Sequence, residues 1–367
     1  MSLFNTGDKA YVMLENGRIF EGVSFGAKGT SFGEIVFTTG MTAYQETLTD
    51  PSYYGQIVMQ TFPLIGNYGV NSEDYESDRS SVSGYIVREW CNAPSNFRCE
   101  GNIDDYLRDH GIIGIHTIDT RCLTKLIRES GVMNGVITTE NVYENKEEFL
   151  EKIKAYRIKD AIKNCTVKEP QYFPAENGKY HVVLFDFGYK YSIRRDLVSL
   201  GCNVTVVPAY TTPEEIKKLS PDGIMLSNGP GDPAENTEII KNLAEIRKLG
   251  IPVFGICLGH QLMALAGGAR TEKLKYGHRG ANQPVLDVAL GKTFVTSQNH
   301  GYAVINDSID KNIAEISHIN ANDKTCEGIR YKDQPCFTVQ FHPEAHGGPQ
   351  DTTYLFNRFM DMVKGSR

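Results

Sequence analysis

The chain has 367 residues, enough for two domains, and its 40% hydrophobic and 23% charged composition is that of a folded globular protein, neither disordered nor membrane-embedded. A formal net charge of -7 argues against a nucleic-acid surface, where Lys and Arg must neutralise phosphates. No basic leader runs into an apolar stretch at the start, and no uncharged run reaches membrane-spanning length, so a cytoplasmic protein free of nucleic acid and membrane is expected.

Residues 1–165 read as a Gly-rich, strand-rich mixed domain. Residues 11–14 and 18–22 flank Asn16-Gly17 and predict a hairpin, since Asn-Gly suits the tight turn between strands. Residues 33–38 and 83–87 predict further strands, and residues 103–110 a helix ended by Gly111. The Glu- and Lys-rich stretch 141–163 has apolar residues at helical intervals and predicts one or two surface helices. Residues 166–180 hold Pro170 and Gly178 without periodicity and read as a linker.

The texture changes at His181. Strands are predicted at 181–187, 203–207, 222–227 and 251–256, and helices at 191–200, from 213 to 219 and up to about 249. Strands alternating with helices imply a mostly parallel sheet covered on both faces, a three-layer α/β/α domain over residues 181–367. The 8 cysteines form no CxxC pair and read as reduced thiols.

The sharpest local feature is Gly255-Ile256-Cys257-Leu258-Gly259-His260-Gln261. A strand runs into Cys257 with glycines two residues before and after, and a helix follows, which is the cysteine counterpart of a nucleophile elbow. A lone cysteine would read as a buried thiol at a strand end; the symmetric glycines favour the elbow. The helix N-terminus that follows favours a thiolate and places backbone N–H groups near a developing oxyanion. Residues 335–341 form a strand that delivers His342, with Glu344 two residues on. Cys, His and an acid make a triad in which the imidazole takes the thiol proton and the carboxylate orients the ring.

The loop Ser227-Asn228-Gly229-Pro230-Gly231-Asp232-Pro233 ends another strand; taken alone it reads as an ordinary tight turn, and its glycine N–H groups also suit a carboxylate or an oxyanion. A zinc set of His342, Glu344 and His346 is disfavoured because Pro343, Gly347 and Gly348 break the helix such a motif needs. Neither a P-loop nor a strand-linked GxGxxG is present.

Together the elbow, the loop 227–233 and Gln340-Phe341-His342-Pro343-Glu344 resemble the three signatures of class I, triad-type glutamine amidotransferases. The stretch 37–53, with Gly66-Asn67-Tyr68-Gly69, Asp119-Thr120-Arg121, Asp186-Phe187-Gly188-Tyr189-Lys190, residues 276–284 and Ser297-Gln298-Asn299-His300-Gly301-Tyr302, is similar to the small chains of carbamoyl-phosphate synthetases, and this resemblance spans nearly the whole chain. It implies a glutaminase in which Cys257 attacks the side-chain amide of L-glutamine, His342 is base and acid, and Glu344 orients it. Gly229 and Leu258 supply oxyanion N–H groups. Glutamine contacts fall on Ser52, Gly229, Gly231, Leu258, Gln261, Asn299, Gly301 and Tyr302.

The resemblance also implies a separate large chain that uses ATP, Mg and bicarbonate and receives the ammonia. The N-terminal domain would dock that chain, no metal or cofactor would be held here, and pairs could assemble further. Arginine and pyrimidine synthesis both stay open as destinations. Ala43 stands where relatives commonly have Gly, Arg279 where some have His, and Tyr302 where Phe is frequent; none of the three belongs to the triad. A noncatalytic scaffold would have lost a triad member. A Cys peptidase leaves Asn299, Gly301 and the loop at Gly229 without a task, and residues 37–53 disfavour an amidotransferase of anthranilate or guanylate synthesis.

Overall fold

The computed structural model describes residues 7–365. Residues 1–6, where no leader is expected, lie outside them. The chain divides into two compact units, one up to residue 159 and one from residue 160.

In the first unit, seven strands close into a barrel in the order Lys9–Leu14, Ile19–Gly26, Ile113–His116, Gly84–Ile86, Gln56–Gln60, Thr30–Thr38 and Met133–Thr138. The expected hairpin starts it. Met13 faces Ile19 across the pair, the Leu14 N–H donates to the Arg18 carbonyl at 2.9 Å, and Gly17 takes the positive φ of 80° that the turn requires. The strands expected at 33–38 and 83–87 are Thr30–Thr38 and Gly84–Ile86. Closure leaves the barrel without a free edge.

The expected helix is Ile103–Asp109, begun by Asn102, whose side-chain oxygen accepts the Asp105 N–H at 2.9 Å. It buries Ile103, Tyr106 and Leu107 against Val36, Val58 and Tyr85. A second helix, Thr120–Ser130, is capped by Asp119 and lies where the sequence pattern predicts no element. The polar stretch forms the helix Lys146–Ala155, held by Phe149 and Ile153, which are buried with Tyr11, Met13 and Val136.

The second unit is built on one ten-stranded sheet. Its middle is five parallel strands in the order Cys202–Pro208, Tyr180–Asp186, Gly223–Leu226, Val253–Ile256 and Cys336–Val339. Their side chains alternate between two covered faces. Val183 and Phe185 join Ile239, Leu243, Leu258 and Leu262 on one side, while Val182 and Leu184 join Ile193, Leu197, Phe356 and Phe359 on the other. Each such side chain contributes about 1.5–3 kcal/mol by leaving water. This gives the expected α/β/α layering.

Beyond Cys336–Val339 the sheet continues antiparallel through Cys326–Tyr331, Ala314–Asn320, Thr271–Asp287 and Lys292–Val304. The unit also begins earlier than the boundaries read at 165 and 181. Ile162, on the short helix Ala161–Cys165, is buried in its core, and Gln171–Phe173 pairs antiparallel with Cys202–Pro208. The Val167 N–H is tied to Asp186 Oδ2 at 2.7 Å. The segment expected as a linker is therefore part of the sheet and core, because its apolar side chains and edge backbone find partners there.

Candidate active site

Cys257 sits between the strand Val253–Ile256 and the helix Leu258–Ala266, with φ 53° and ψ −102°. A non-glycine residue there carries backbone strain on the order of 1–3 kcal/mol. The flanking glycines are required by close approach. A Cβ on Gly259 would lie 2.5 Å from the Leu226 carbonyl oxygen, and one on Gly255 would lie 2.8 Å from Thr338 Cγ2. The turn is pinned from both sides: the Cys257 N–H donates to the Val339 carbonyl at 2.8 Å, and the Gly259 N–H to the Ser227 carbonyl at 2.9 Å. Leu258 opens the helix, so its N–H has no acceptor within the helix itself.

Ile256 and Val339 are register partners on adjacent parallel strands, so both chains leave the sheet at the same edge. Three residues after Val339 comes His342, buried, with Nδ1 2.7 Å from Glu344 Oε1 and its own N–H donating to the Ser297 carbonyl at 2.9 Å. With Nδ1 committed to a carboxylate, Nε2 is the nitrogen left to accept a proton, and it is buried without a hydrogen-bond partner.

Glu344 Oε1 also meets Lys190 Nζ at 2.6 Å, with both side chains almost fully buried. Burial by itself would push the Glu344 carboxyl up. The Lys190 ammonium, followed by the His342 ring, overcomes that and holds it down to about 2. The pair thus keeps a carboxylate behind the imidazole.

The Lys190 backbone is fixed in turn, its N–H donating to Asn228 Oδ1 at 3.0 Å. Asp186 Oδ1 gathers the N–H groups of Gly188 and Tyr189 at 2.8 Å each, and the Phe187 N–H reaches Ser227 Oγ at 3.0 Å. These bonds lace the turn 186–190 to the loop 227–231. A Cβ on Gly229 would collide with the Phe187 carbonyl, which is why that loop needs glycine.

The strand Lys292–Val304 brings a third wall. The Cys257 thiol lies 3.6 Å from the Asn299 carbonyl oxygen, and the Gln340 amide nitrogen lies 3.6 Å from Cys257 Sγ. Gln261 Nε2 donates to the Tyr302 carbonyl at 2.8 Å and to Gln340 Oε1 at 2.9 Å. Both of its N–H hydrogens are therefore spent within the protein, and only Oε1 is left for a ligand, which narrows the contact expected of Gln261.

The second unit thus gathers Leu258, Gln261 and Asn299 around Cys257 and sets the His342–Glu344 pair just past the end of the neighbouring paired strand, with Gly229 and Gly231 on the loop laced to Lys190 and Gly301 and Tyr302 further along the Asn299 strand. Ser52 belongs to the first unit, where it is buried in the 3-10 turn Pro51–Tyr53 and its N–H is held by Asp50 Oδ1 at 2.9 Å. His346 pairs with Asp196 at 3.3 Å and is largely exposed, apart from the buried His342–Glu344 pair. Lys190 and Gln340 were not singled out from the sequence, although both stand inside motifs that were.

Among the described residues, His278, His300 and Glu327 form a group whose ligand atoms lie within 4.8 Å of one another. Protein hydrogen bonds account for most of these atoms. Glu327 accepts from Gln298 Nε2 at 3.0 Å and Asn320 Nδ2 at 3.1 Å; both His300 nitrogens have partners; His278 Nε2 is bound to Asp323 at 2.8 Å. Here the group braces the face of the strand opposite Asn299.

Comparison with known proteins agrees in both units. Residues 12–137 match the carbamoyl-phosphate synthase small chain, CPSase domain, and residues 183–362 match the class-I glutamine amidotransferases. A protein of Bacillus cereus named carbamoyl phosphate synthase small chain is 52% identical over 97% of this chain and 96% of its own length. Proteins of the same name from Listeria monocytogenes and Syntrophotalea carbinolica are 50% and 49% identical; the shares covered are 97% of each chain for the first pair, and 98% of this chain and 99% of the other for the second.

Proposed function

The chain belongs to the family of carbamoyl phosphate synthase small chains, and on that premise we propose that it hydrolyses L-glutamine through Cys257, His342 and Glu344 and hands the ammonia to a separate large chain. His342 Nε2 takes the Cys257 thiol proton, and the sulfur attacks the side-chain carbonyl carbon of glutamine. The oxyanion turns to the N–H groups of Leu258 and Gly229. His342 returns the proton to the departing nitrogen, so ammonia leaves and a γ-glutamyl thioester stays on Cys257. Water, deprotonated by His342, attacks the thioester carbonyl; the sulfur leaves with that proton and glutamate is released. Glu344, kept ionised by Lys190, steadies the imidazolium in both halves.

The observation that carries this reading is the state of His342: Nδ1 is tied to Glu344 while Nε2 is buried without a protein partner, on the strand end beside the elbow. The glutamine contacts assigned to Ser52, Gly229, Gly231, Leu258, Gln261, Asn299, Gly301 and Tyr302 rest on the family resemblance. ATP, magnesium and bicarbonate are placed on the large chain. The docking of that chain is placed on the first unit, where Met41 and Phe97 are exposed apolar side chains. Ammonia is protonated in neutral water and loses its nucleophilicity, which favours transfer inside a complex.

The test is carbamoyl phosphate synthesis by this chain with its large chain, supplied with glutamine or with ammonium. Cys257→Ala should abolish the glutamine-dependent rate and leave the ammonium-dependent rate intact. Equal rates from both nitrogen sources in the variant would refute the assignment.

A further inference from the structure

Gln340 has no task in the mechanism above, yet it touches the reacting sulfur. It follows the strand Cys336–Val339, is fully buried, and its own N–H donates to the Glu327 carbonyl at 2.9 Å. Its side-chain orientation follows from an inventory of donors. The Tyr302 carbonyl oxygen can only accept, so it fixes the nitrogen of Gln261, 2.8 Å away. The second hydrogen on that nitrogen meets Gln340 Oε1 at 2.9 Å, which leaves Gln340 Nε2 facing Cys257 Sγ at 3.6 Å. Turning over either amide would set nitrogen against nitrogen or oxygen against oxygen. A backbone carbonyl thus decides, through two side chains, that a donor points at the sulfur.

We propose that Gln340 is a further catalytic residue of the glutaminase, its side-chain N–H stabilising the Cys257 thiolate, with Gln261 as the positioning residue that aims it. The proposal rests on Cys257 being the nucleophile. A neutral thiol is a weak acceptor and a thiolate a strong one, so this bond tightens as the proton leaves and favours the charged form. The Asn299 carbonyl, 3.6 Å from the same sulfur, acts in the opposite sense: it accepts the S–H and repels the thiolate. The two contacts bracket the sulfur, one for each protonation state.

Titratable groups around this sulfur come from every element packed against it. His342 and Glu344 follow the neighbouring strand, and Lys190 stands behind Glu344. His300 lies on the Asn299 strand, where burial holds its ring neutral. His260 is in the helix Leu258–Ala266 that follows Cys257, its Nδ1 2.8 Å from Thr338 Oγ1 and burial holding it down to about 3. The last two stay uncharged across the thiol's range, so the Gln340 amide acts on the sulfur alongside His342, the Glu344–Lys190 pair behind it and Arg279, the register partner of Asn299.

The test is the pH dependence of Cys257 alkylation by iodoacetamide in the full chain, read by mass spectrometry of the Cys257 peptide. Gln340→Met keeps the volume and removes the donor. It should raise the midpoint by about one pH unit, a tenfold loss of thiolate at fixed pH. Gln340→Glu should raise it further by placing a carboxylate there. Gln261→Met keeps Gln340 but releases its aim, and should move the midpoint upward by less. Thermal unfolding identifies any variant that fails to fold, and Gln261→Met then decides alone. A wild-type midpoint that none of the folded variants moves would overturn the proposal and leave Cys257 as the nucleophile. A wild-type chain in which Cys257 resists alkylation at every pH would overturn the nucleophile assignment and the proposal with it.

Discussion

Lys190 Nζ and His342 Nδ1 approach the same oxygen of Glu344, at 2.6 and 2.7 Å. One carboxylate oxygen therefore joins a buried ammonium to the imidazole, and the ammonium is what keeps the carboxyl ionised where burial opposes it.

Replacing Lys190 by Met should uncover that dependence. An acid held near 2 rather than 4.5 contributes stability that is complete above about 4.5 and is lost as the pH falls toward 2. Without Lys190 this window moves upward. Glutamine hydrolysis at neutral pH should fall about tenfold or more, and the acid limb of its pH–rate profile should shift to higher pH. An unchanged acid limb would remove Lys190 from the site.

Gly259→Ala should destabilise the second unit by about 1–3 kcal/mol, because the new Cβ would lie 2.5 Å from a backbone oxygen of Leu226 that cannot yield. Gly250→Ala is the comparison: its Cβ meets nothing within 4 Å, but its φ is 70°, so it reports backbone strain alone. Thermal unfolding of the two variants should rank Gly259→Ala below Gly250→Ala.

His278 is pushed up to about 9. Burial alone would lower it, and the nearby carboxylates of Asp323 and Glu327 outweigh that. A base raised from 6.5 to about 9 contributes stability that is complete below about 6.5 and drains away as the pH rises through 9. Asp323→Asn should therefore lower the unfolding midpoint at pH 7 and flatten its decline between pH 6.5 and 9, as a denaturation series across that range would record.

Ala43 takes φ 65° and ψ 37°, a left-handed conformation that costs a residue with a Cβ about 1–2 kcal/mol. Ala43→Gly should stabilise the first unit by up to about 1 kcal/mol, with part of the relief offset by the freer unfolded chain. A fall in the thermal midpoint would contradict this.

The elbow was legible in the sequence because its requirement is local: a strained turn needs small neighbours, and Gly255 and Gly259 declare it. The parallel core was legible for the same kind of reason, since strands such as Tyr180–Asp186 are apolar on both faces. The antiparallel extension was not, because Thr271–Asp287 and Lys292–Val304 carry many exposed polar side chains and lack a continuous apolar signal. Barrel closure was equally hidden, depending on pairings such as Lys9–Leu14 with Met133–Thr138 that no local pattern announces. Lys190 and Gln340 carry no local signal of their own, because each meets partners remote in the chain: Glu344 for the first, Gln261 and Cys257 for the second.

In the proposed reaction glutamine is cleaved through a thioester on Cys257. Acid quenching of the chain during turnover with glutamine, followed by peptide mapping, tests it most directly. A γ-glutamyl group on the Cys257 peptide of the wild type, absent in Cys257→Ala together with ammonia release, is the predicted result. Ammonia release that persists undiminished in Cys257→Ala, or a glutamyl group carried by another residue, would contradict it.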